Sequence, residues 1–543
     1  MTYASLRRLA WVTSIGTLVG VSAAPALTQT PTFRSGVRLI EINALVHDRS
    51  GRPISDLAAT DFRIFEDGKE QKVELFSLHD ARPSAREKAV PSLPPGVYSN
   101  RAAAQGVGSV TAIVFDRLNS TFEDQKAARD QMLKALAATP PGDRVALYVL
   151  ESDRVTVLHD FTADSGRLVA AINRAVRATS VEVTHSDEPM PTIPRTGIDQ
   201  LDADTEDWLQ RTQAAVAEVF LIRRVELTLN GLESIANHLA GIPGRKNLIW
   251  ISASFPFVIP VTHGAPVIMN REMARVARAM NQANIAVYPV DIRGLIGAVT
   301  NPSTITATVE RNPRAPAVPT GSGFTNLGTV SPNQDTMREV ADATGGKVFV
   351  NGNAIGDAIR KAVDDSRVSY VLGYYSSRTD NKFHDLDVKV ARPGVEVRHR
   401  KGYIALAPEH SDAKTRLAVL NRAMMSAVPA TGIELMAGFD PTADGGTLTV
   451  KLNPELLTWQ QNKDVREGAI DIVIAQSTPE GKYFKVKETT ASVSASPEQY
   501  KQMLDGGFTF TSTIKLQPDV YRLHVIVSDV ASQSVGSLII PIK

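Results

Sequence analysis

Few side chains in this sequence could carry chemistry, and most of those are carboxylates and hydroxyls. Asp116 closes the apolar run Val110 to Phe115, Ser252 and Ser254 follow Ile249 to Ile251, and Asp291 closes Ile285 to Val290. Each run reads as a strand, and open α/β sheets bind ligands just outside the carboxyl ends of their strands. These oxygens could converge on one polar rim. They fit a hydrogen-bonded structural cluster as well, and that is the favoured reading.

Other candidates are weaker. Asp202-Ala203-Asp204-Thr205-Glu206-Asp207 suggests a calcium loop but lacks the Gly and the final Glu of an EF-hand, so a solvated acidic loop is expected. Gly345-Gly346-Lys347 lacks the spacing of a phosphate loop and is expected to end a helix before a strand. His159-Asp160 and His384-Asp385 are neighbours without a nucleophile beside them, which is no catalytic signal. Arg245 and Lys246 either flank a buried strand or face an acidic partner, and Trp250 reads as core. No GxGxxG follows the first strand of the middle region and no GxSxG elbow occurs.

Composition narrows the chemistry further. The 543 residues contain no Cys, which excludes disulfides, thiolate metal sites and a cysteine nucleophile. The 10 His include no HExxH. Lys and Arg number 59 against 58 acids, so the chain has no basic surplus for nucleic acid. An apolar fraction of 43 % and a charged fraction of 22 % are those of globular domains, about three to four of them at this length.

The elements that must position these residues follow from periodicity. Residues 1–27 read as an export signal: Arg7 and Arg8 precede the apolar stretch Leu9 to Val21, and Ala24-Pro25-Ala26 resembles a cleavage site. An uncleaved anchor is the alternative. No later stretch is long enough to span a bilayer as an apolar helix. The expected mature chain is therefore exported, to the periplasm or the extracellular space, with no transmembrane span. Residues 34–80 alternate with period two and predict a small β-module, which strands in 368–405 could complete. A Pro-, Ala- and Ser-rich linker is expected over Arg82 to Gly106. Residues 107–367 alternate strands with helices, Phe220 to Leu239 among the latter, which implies a mostly parallel, doubly wound sheet. Two insertions, 179–207 and 301–333, interrupt it and are expected as long loops. Strands dominate again over 418–543, predicting a C-terminal β-sandwich.

The chain resembles the exported "VWFA-related acidobacterial domain" family, built on a von Willebrand factor type A domain. The likeness covers about residues 37 to 405. It rests on Gly51-Arg52-Pro53, Asp61-Phe62, Glu66-Asp67-Gly68, Phe115 to Ser120, Pro243-Gly244-Arg245-Lys246-Asn247-Leu248-Ile249-Trp250, Tyr288-Pro289-Val290-Asp291, Gly373-Tyr374 and Arg400-Lys401-Gly402-Tyr403. The resemblance implies an α/β plus all-β chain: a doubly wound, Rossmann-like type A domain with flanking Ig-like β-sandwich modules. It also implies a metal ion-dependent adhesion site for Mg²⁺, a hard ion that takes oxygen ligands in octahedral geometry. On that reading Asp116, Ser120, Asn119, Ser252, Ser254 and Asp291 are the candidate ligands. The site departs from the family pattern, because Leu118 stands where the first Ser belongs and Ser252 and Ser254 replace an Asp-Gly. The Thr ligand has no identifiable position in the acidic insertion.

These readings converge on an exported, non-enzymatic binding or adhesion protein with a degenerate metal site. Its partner is an unidentified protein or surface polymer. An envelope structural or assembly component is the alternative, and an enzyme with a site on the Asp116–Asp291 rim is a further one.

Overall fold

The computed structural model describes residues 38–80, 93–101, 110–137, 144–151, 154–174, 199–253, 258–259, 267–292, 332–350, 354–378, 380, 382–405, 413–442, 444–462 and 464–542. The expected signal, 1–27, most of the two expected insertions, and Ser254 lie outside them.

The chain opens with β1 (Arg38–Asp48), β2 (Phe62–Glu66), β3 (Lys69–Gln71), β4 (Leu75–Asp80) and β5 (Val97–Ser99). It continues through β6 (Val110–Asp116), α1 (Phe122–Ala137), β7 (Arg144–Leu150), β8 (Val155–Thr162), α2 (Ser165–Arg174) and α3 (Asp199–Leu239). Next come β9 (Lys246–Ser252), the short pair β10 (Val258–Ile259) and β11 (Val267–Ile268), α4 (Asn270–Gln282), β12 (Ile285–Asp291) and α5 (Pro332–Thr344). Then follow β13 (Phe349–Val350), α6 (Ala354–Arg367), β14 (Val368–Ser376), β15 (Phe383–Val390), β16 (Val395–Arg398) and β17 (Gly402–Ile404). The last stretch holds α7 (Ala413–Met425), β18 (Leu435–Thr442), β19 (Gly445–Leu452), β20 (Gln460–Asn462), β21 (Val465–Ser477), β22 (Tyr483–Ala495), α8 (Pro497–Gly506), β23 (Phe508–Lys515), β24 (Arg522–Asp529) and β25 (Val535–Pro541).

The middle of the chain builds a six-stranded sheet in the order β13-β12-β9-β6-β7-β8. Numbered from its own first strand this is 6-5-4-1-2-3, the doubly wound order. Only the edge strand β8 runs antiparallel. Strands β6, β7, β9 and β12 are buried nearly end to end, as a sheet covered on both faces requires. On one face Val110, Ala112, Val114 and Trp250 pack against Val225, Leu229 and Leu232 of α3. On the other, Ile113, Ile249 and Tyr288 pack against α1, α2 and α6, the last through Ile355, Ala358, Ile359, Ala362 and Val363. That i, i+3, i+4 spacing makes 354–367 a helix, an element absent from the expected strand-and-helix order.

Strands from both sides of this region form a second body. β1 pairs antiparallel with β14, Arg38 opposite Ser376, in a sheet ordered β16-β1-β14-β4. A second sheet, β17-β15-β2-β3, faces it. Ile40, Ile42, Phe62, Ile64, Tyr370, Leu372, Leu386 and Val388 share the core between them. The α/β region is thus an insertion between β4 and β14.

The C-terminal body also has two sheets, β23-β19-β18-β5 and β20-β21-β24-β25, with β22 on the other flank of β21. Two expectations change here. Within the expected linker, β5 pairs with β18 (Met436 opposite Ser99). Asn100 staples the strand down: its Nδ2 donates to Ala430 O at 2.7 Å and Ile433 O at 2.8 Å, and its Oδ1 accepts from Leu435 N at 2.7 Å. Helix α7, unforeseen, covers the outer face through Leu420 and Met424 against Val473, Ala475 and Ile526.

Candidate functional site

The carboxyl ends of β6, β9 and β12 lie side by side. Phe115 is level with Ile251, and Ser252 with Asp291, so Asp116, Ser252 and Asp291 end adjacent strands at one height. Side chains alternate across a sheet, and these three fall on the face that carries Val114, Trp250 and Val287, under α3. All three are buried.

The Asp116 carboxylate is closed by protein donors. Its Oδ1 accepts from Asn119 N at 3.0 Å. Its Oδ2 accepts from Asn119 Nδ2 at 2.8 Å, Trp250 Nε1 at 3.0 Å and Ser252 Oγ at 2.9 Å. Asn119 Nδ2 gives its second hydrogen to Thr228 Oγ1 on α3 at 2.7 Å, and Thr228 donates to Arg224 O at 2.8 Å. Burial pushes the Asp116 carboxyl above its ordinary range, and the hydrogen bonds from Asn119, Ser252 and Trp250 pull against that shift.

The turn that follows is equally occupied. Ser120 Oγ donates to Asp116 O at 2.5 Å, and Gln125 Nε2 to Ser120 O at 2.9 Å. The backbone N–H groups of Arg117 and Leu118 both reach Leu150 O, at 3.1 and 3.2 Å. Leu118 is fully buried in the core under α3. Arg117 Nη1 pairs with Glu151 at 2.9 Å.

These residues do not fit Mg²⁺. A cation on Asp116 would displace three N–H donors, Asn119 N, Asn119 Nδ2 and Trp250 Nε1, none of which can ligate. Ser120 Oγ is bonded to a backbone carbonyl, and Leu118 offers no oxygen. Asn119 Oδ1 is buried without a hydrogen-bond donor, and a single amide oxygen is no site. Ser254 lies outside the described residues. Among the described residues no three His, Asp or Glu side chains are grouped to hold a metal.

Sequence reasoning brought Asp116, Asn119, Ser120, Ser252 and Asp291 to this rim but missed two partners. Trp250 was expected only as core, yet it lies two residues before Ser252 and so on the same face, a signal that was available. Thr228 gives no such signal.

The remaining candidates are structural. Helix α3 begins at Asp199, so Asp202 to Asp207 are helical, not a calcium loop or a solvated loop. Gly345, at φ +74°, follows α5, and Gly346 N donates back to Ala341 O at 2.9 Å, a helix C-cap. Arg245 and Lys246 are both buried and bonded within the fold: Arg245 Nη2 donates to Gly345 O at 3.0 Å, Lys246 Nζ donates to Ile242 O at 2.5 Å and Gly244 O at 2.9 Å, and burial lowers the Lys246 pKa to about 7. His384, not Asp385, carries the His–acid chemistry, with Nδ1 2.7 Å from Asp67 Oδ2 and Nε2 2.8 Å from Asp380 Oδ1. Beside it, Glu66 Oε1 accepts from Tyr374, Ser376 and Tyr403. Ser477 Oγ lies 2.8 Å from His524 Nε2, but both are buried in the C-terminal body.

No family model matches the chain, and no curated protein matches it. Among solved structures, the crystal structure of the SpRpn10 VWA domain matches at 13 % identity and a TM-score of 0.20, over 47 % of this chain and 95 % of that one. A von Willebrand factor type A structure from Catenulispora acidiphila matches at 10 % identity and a TM-score of 0.22, over 86 % and 72 % of the two chains. The human COPII-coat protein Sec24c matches at 8 % identity and a TM-score of 0.20, over 84 % and 48 %. Likenesses this slight carry no argument, and the doubly wound fold rests on the sheet order and register of the chain itself.

Proposed function

We propose that this chain is an exported, non-enzymatic interaction protein of the type A-like kind, whose carboxyl rim contacts a protein partner without a metal ion. The observation that carries this is the Asp116 carboxylate, whose oxygens are taken up by Asn119, Trp250 and Ser252. Asp116 therefore has no open carboxylate oxygen to offer a ligand. What the rim does present is Phe122, 52 % exposed at the first position of α1, directly after the closed turn. An exposed aromatic at the ligand end of an α/β sheet suits an apolar protein contact. The resemblance to exported type A proteins supports both the binding role and the export.

The test uses the full chain immobilised on a sensor surface. Exported proteins and surface polysaccharide from the producing cell are passed over it in EDTA and again in Mg²⁺. We expect saturable, protease-sensitive binding that is equal in the two buffers and at least tenfold weaker in Phe122→Glu, which keeps the wild-type melting temperature. Binding that EDTA abolishes, or that Phe122→Glu leaves intact, overturns the proposal.

A further inference from the structure

Helix α3 is far longer than the sheet it covers. Its 41 residues span about 60 Å at ~1.5 Å each. The seven-residue strands beneath it span about 23 Å. Its C-terminal part is core, through Val225, Leu229, Leu232, Ile235, Ala236 and Leu239. Thr228 sits at the carboxyl rim on Asn119, while the other end of the helix leads to Lys246 at the amino end of β9. The residues before about Arg224 therefore run outward past the rim.

This outer half carries an apolar stripe in water. Trp208 is 63 % exposed, Val216 45 % and Val219 64 %. Thr212 and Ala215 are exposed as well. Steps of 4, 3, 1 and 3 residues from 208 through 212, 215, 216 and 219 place all five on one side of a helix. A helix of about twenty residues is held weakly by its own propensity, and a stripe led by a Trp gains stability once it is covered.

The flank of the stripe indicates what covers it. Arg211 and Glu218 are seven residues apart and lie on the same flank. Reversal of the helix about a midpoint near Ala215 exchanges their positions. Two antiparallel copies in that register set Arg211 of each, which also pairs with Asp207 on its own helix, beside Glu218 of the other, and the charges alternate around the two-fold axis. The small Ala215 at the axis lets two identical helices approach closely. A second copy of the helix carries the matching charges by symmetry.

We propose that the projecting half of α3 is a homodimer interface, in which two copies of this chain pack antiparallel across Trp208, Val216 and Val219. About three turns of helix bury less than the ~1,200 Å² of a stable complex, so the dimer forms with rising concentration. It goes beyond the function proposed above and does not depend on it.

Sedimentation velocity on the full chain over a concentration series tests this. We expect a monomer passing to a dimer, with Trp208→Glu weakening association at least tenfold and leaving the far-UV circular dichroism unchanged. Glu218→Arg weakens it too, and Arg211→Glu combined with Glu218→Arg restores it. Because the chain has no Cys, Ala215→Cys is its sole thiol, and mild oxidation joins two chains only where the helices meet. A monomer at every concentration, or a dimer indifferent to Trp208→Glu and to the charge exchange, overturns the inference.

Discussion

Asp116 occupies a metal ligand's position in the sequence and a keystone's position in the structure. Its carboxylate ties β6 to β9 through Trp250 and Ser252, and to α3 through Asn119 and Thr228. Asp116→Ala leaves buried N–H and O–H donors without an acceptor, which costs about 3 kcal/mol in unfolding free energy measured by urea denaturation. Leu118→Ser restores the hydroxyl that a metal site would require at that position. It also empties a fully buried core position, so it costs about 3 kcal/mol as well. Calorimetry with Mg²⁺ on both variants and on the wild type separates the two roles. We expect no saturable heat in any of the three. A Mg²⁺ isotherm in Leu118→Ser that disappears when Asp116→Ala is added would show that the site is latent, not closed.

At the scale of elements, backbone approach decides more than side-chain type. A Cβ on Gly346 would lie 1.7 Å from Val287 O, so the turn leaving α5 fits against β12 only because this residue has none. Gly346→Ala must move α5 or β12, and we expect a loss of at least about 3 kcal/mol in the same unfolding assay. Gly356→Ala, which meets only the far end of Arg360, is the neutral control on a neighbouring helix. The pairing of Gly345 and Gly346 after a helical stretch was legible in the sequence, whereas the need for Gly346 against β12 was not. The same divide runs through the candidate site. Continuous apolar runs mark β6, β9 and β12, and the residues at their ends follow. Thr228 reaches Asn119 across 109 positions of sequence, and no local pattern announces it. The strand Val97–Ser99 is three residues long and half-buried, too short to leave a period, so its stretch reads as a linker. Helix α3 begins in an acidic segment that resembles a loop by composition, because Asp is a poor helix former while the helix here is set by the apolar face further on.

At the scale of the whole molecule, titration couples the bodies that the chain interleaves. His47 of β1 lies 3.6 Å from Asp365 of α6, where Tyr288 OH also donates at 2.7 Å, Lys361 Nζ lies at 3.1 Å and Arg398 pairs. Burial lowers His47 to about 4, with Lys361 and Arg398 adding to the shift. Burial also lowers His524 to about 4, and it lowers His238 and His399. Each of these imidazoles is neutral in the folded chain and takes up a proton near the ordinary 6.5 once unfolded. Their contribution is therefore complete above 6.5 and is lost as the pH falls from there through each folded pKa, about 4 for His47 and His524. His384 has the opposite sign. Although burial works against it, the carboxylates of Asp67 and Asp380 raise it above 6.5, so its contribution is present below 6.5 and lost as the pH rises through its folded pKa. Urea unfolding followed by circular dichroism should then show stability falling from pH 6.5 toward acid, while above pH 7 the buried Lys246, lowered to about 7, adds stability as the pH rises and opposes the loss from His384. On the acid side the decline is about 1.4 kcal/mol per pH unit for each proton taken up. His384→Asn removes the loss that opposes Lys246, so stability above pH 6.5 rises more steeply than in the wild type, and it leaves the acid limb as steep as before. A stability that rises on acidification from 6.5 to 5 would mean that these buried imidazoles carry protons in the folded chain, and that the contacts of His47 with Asp365 are ionic.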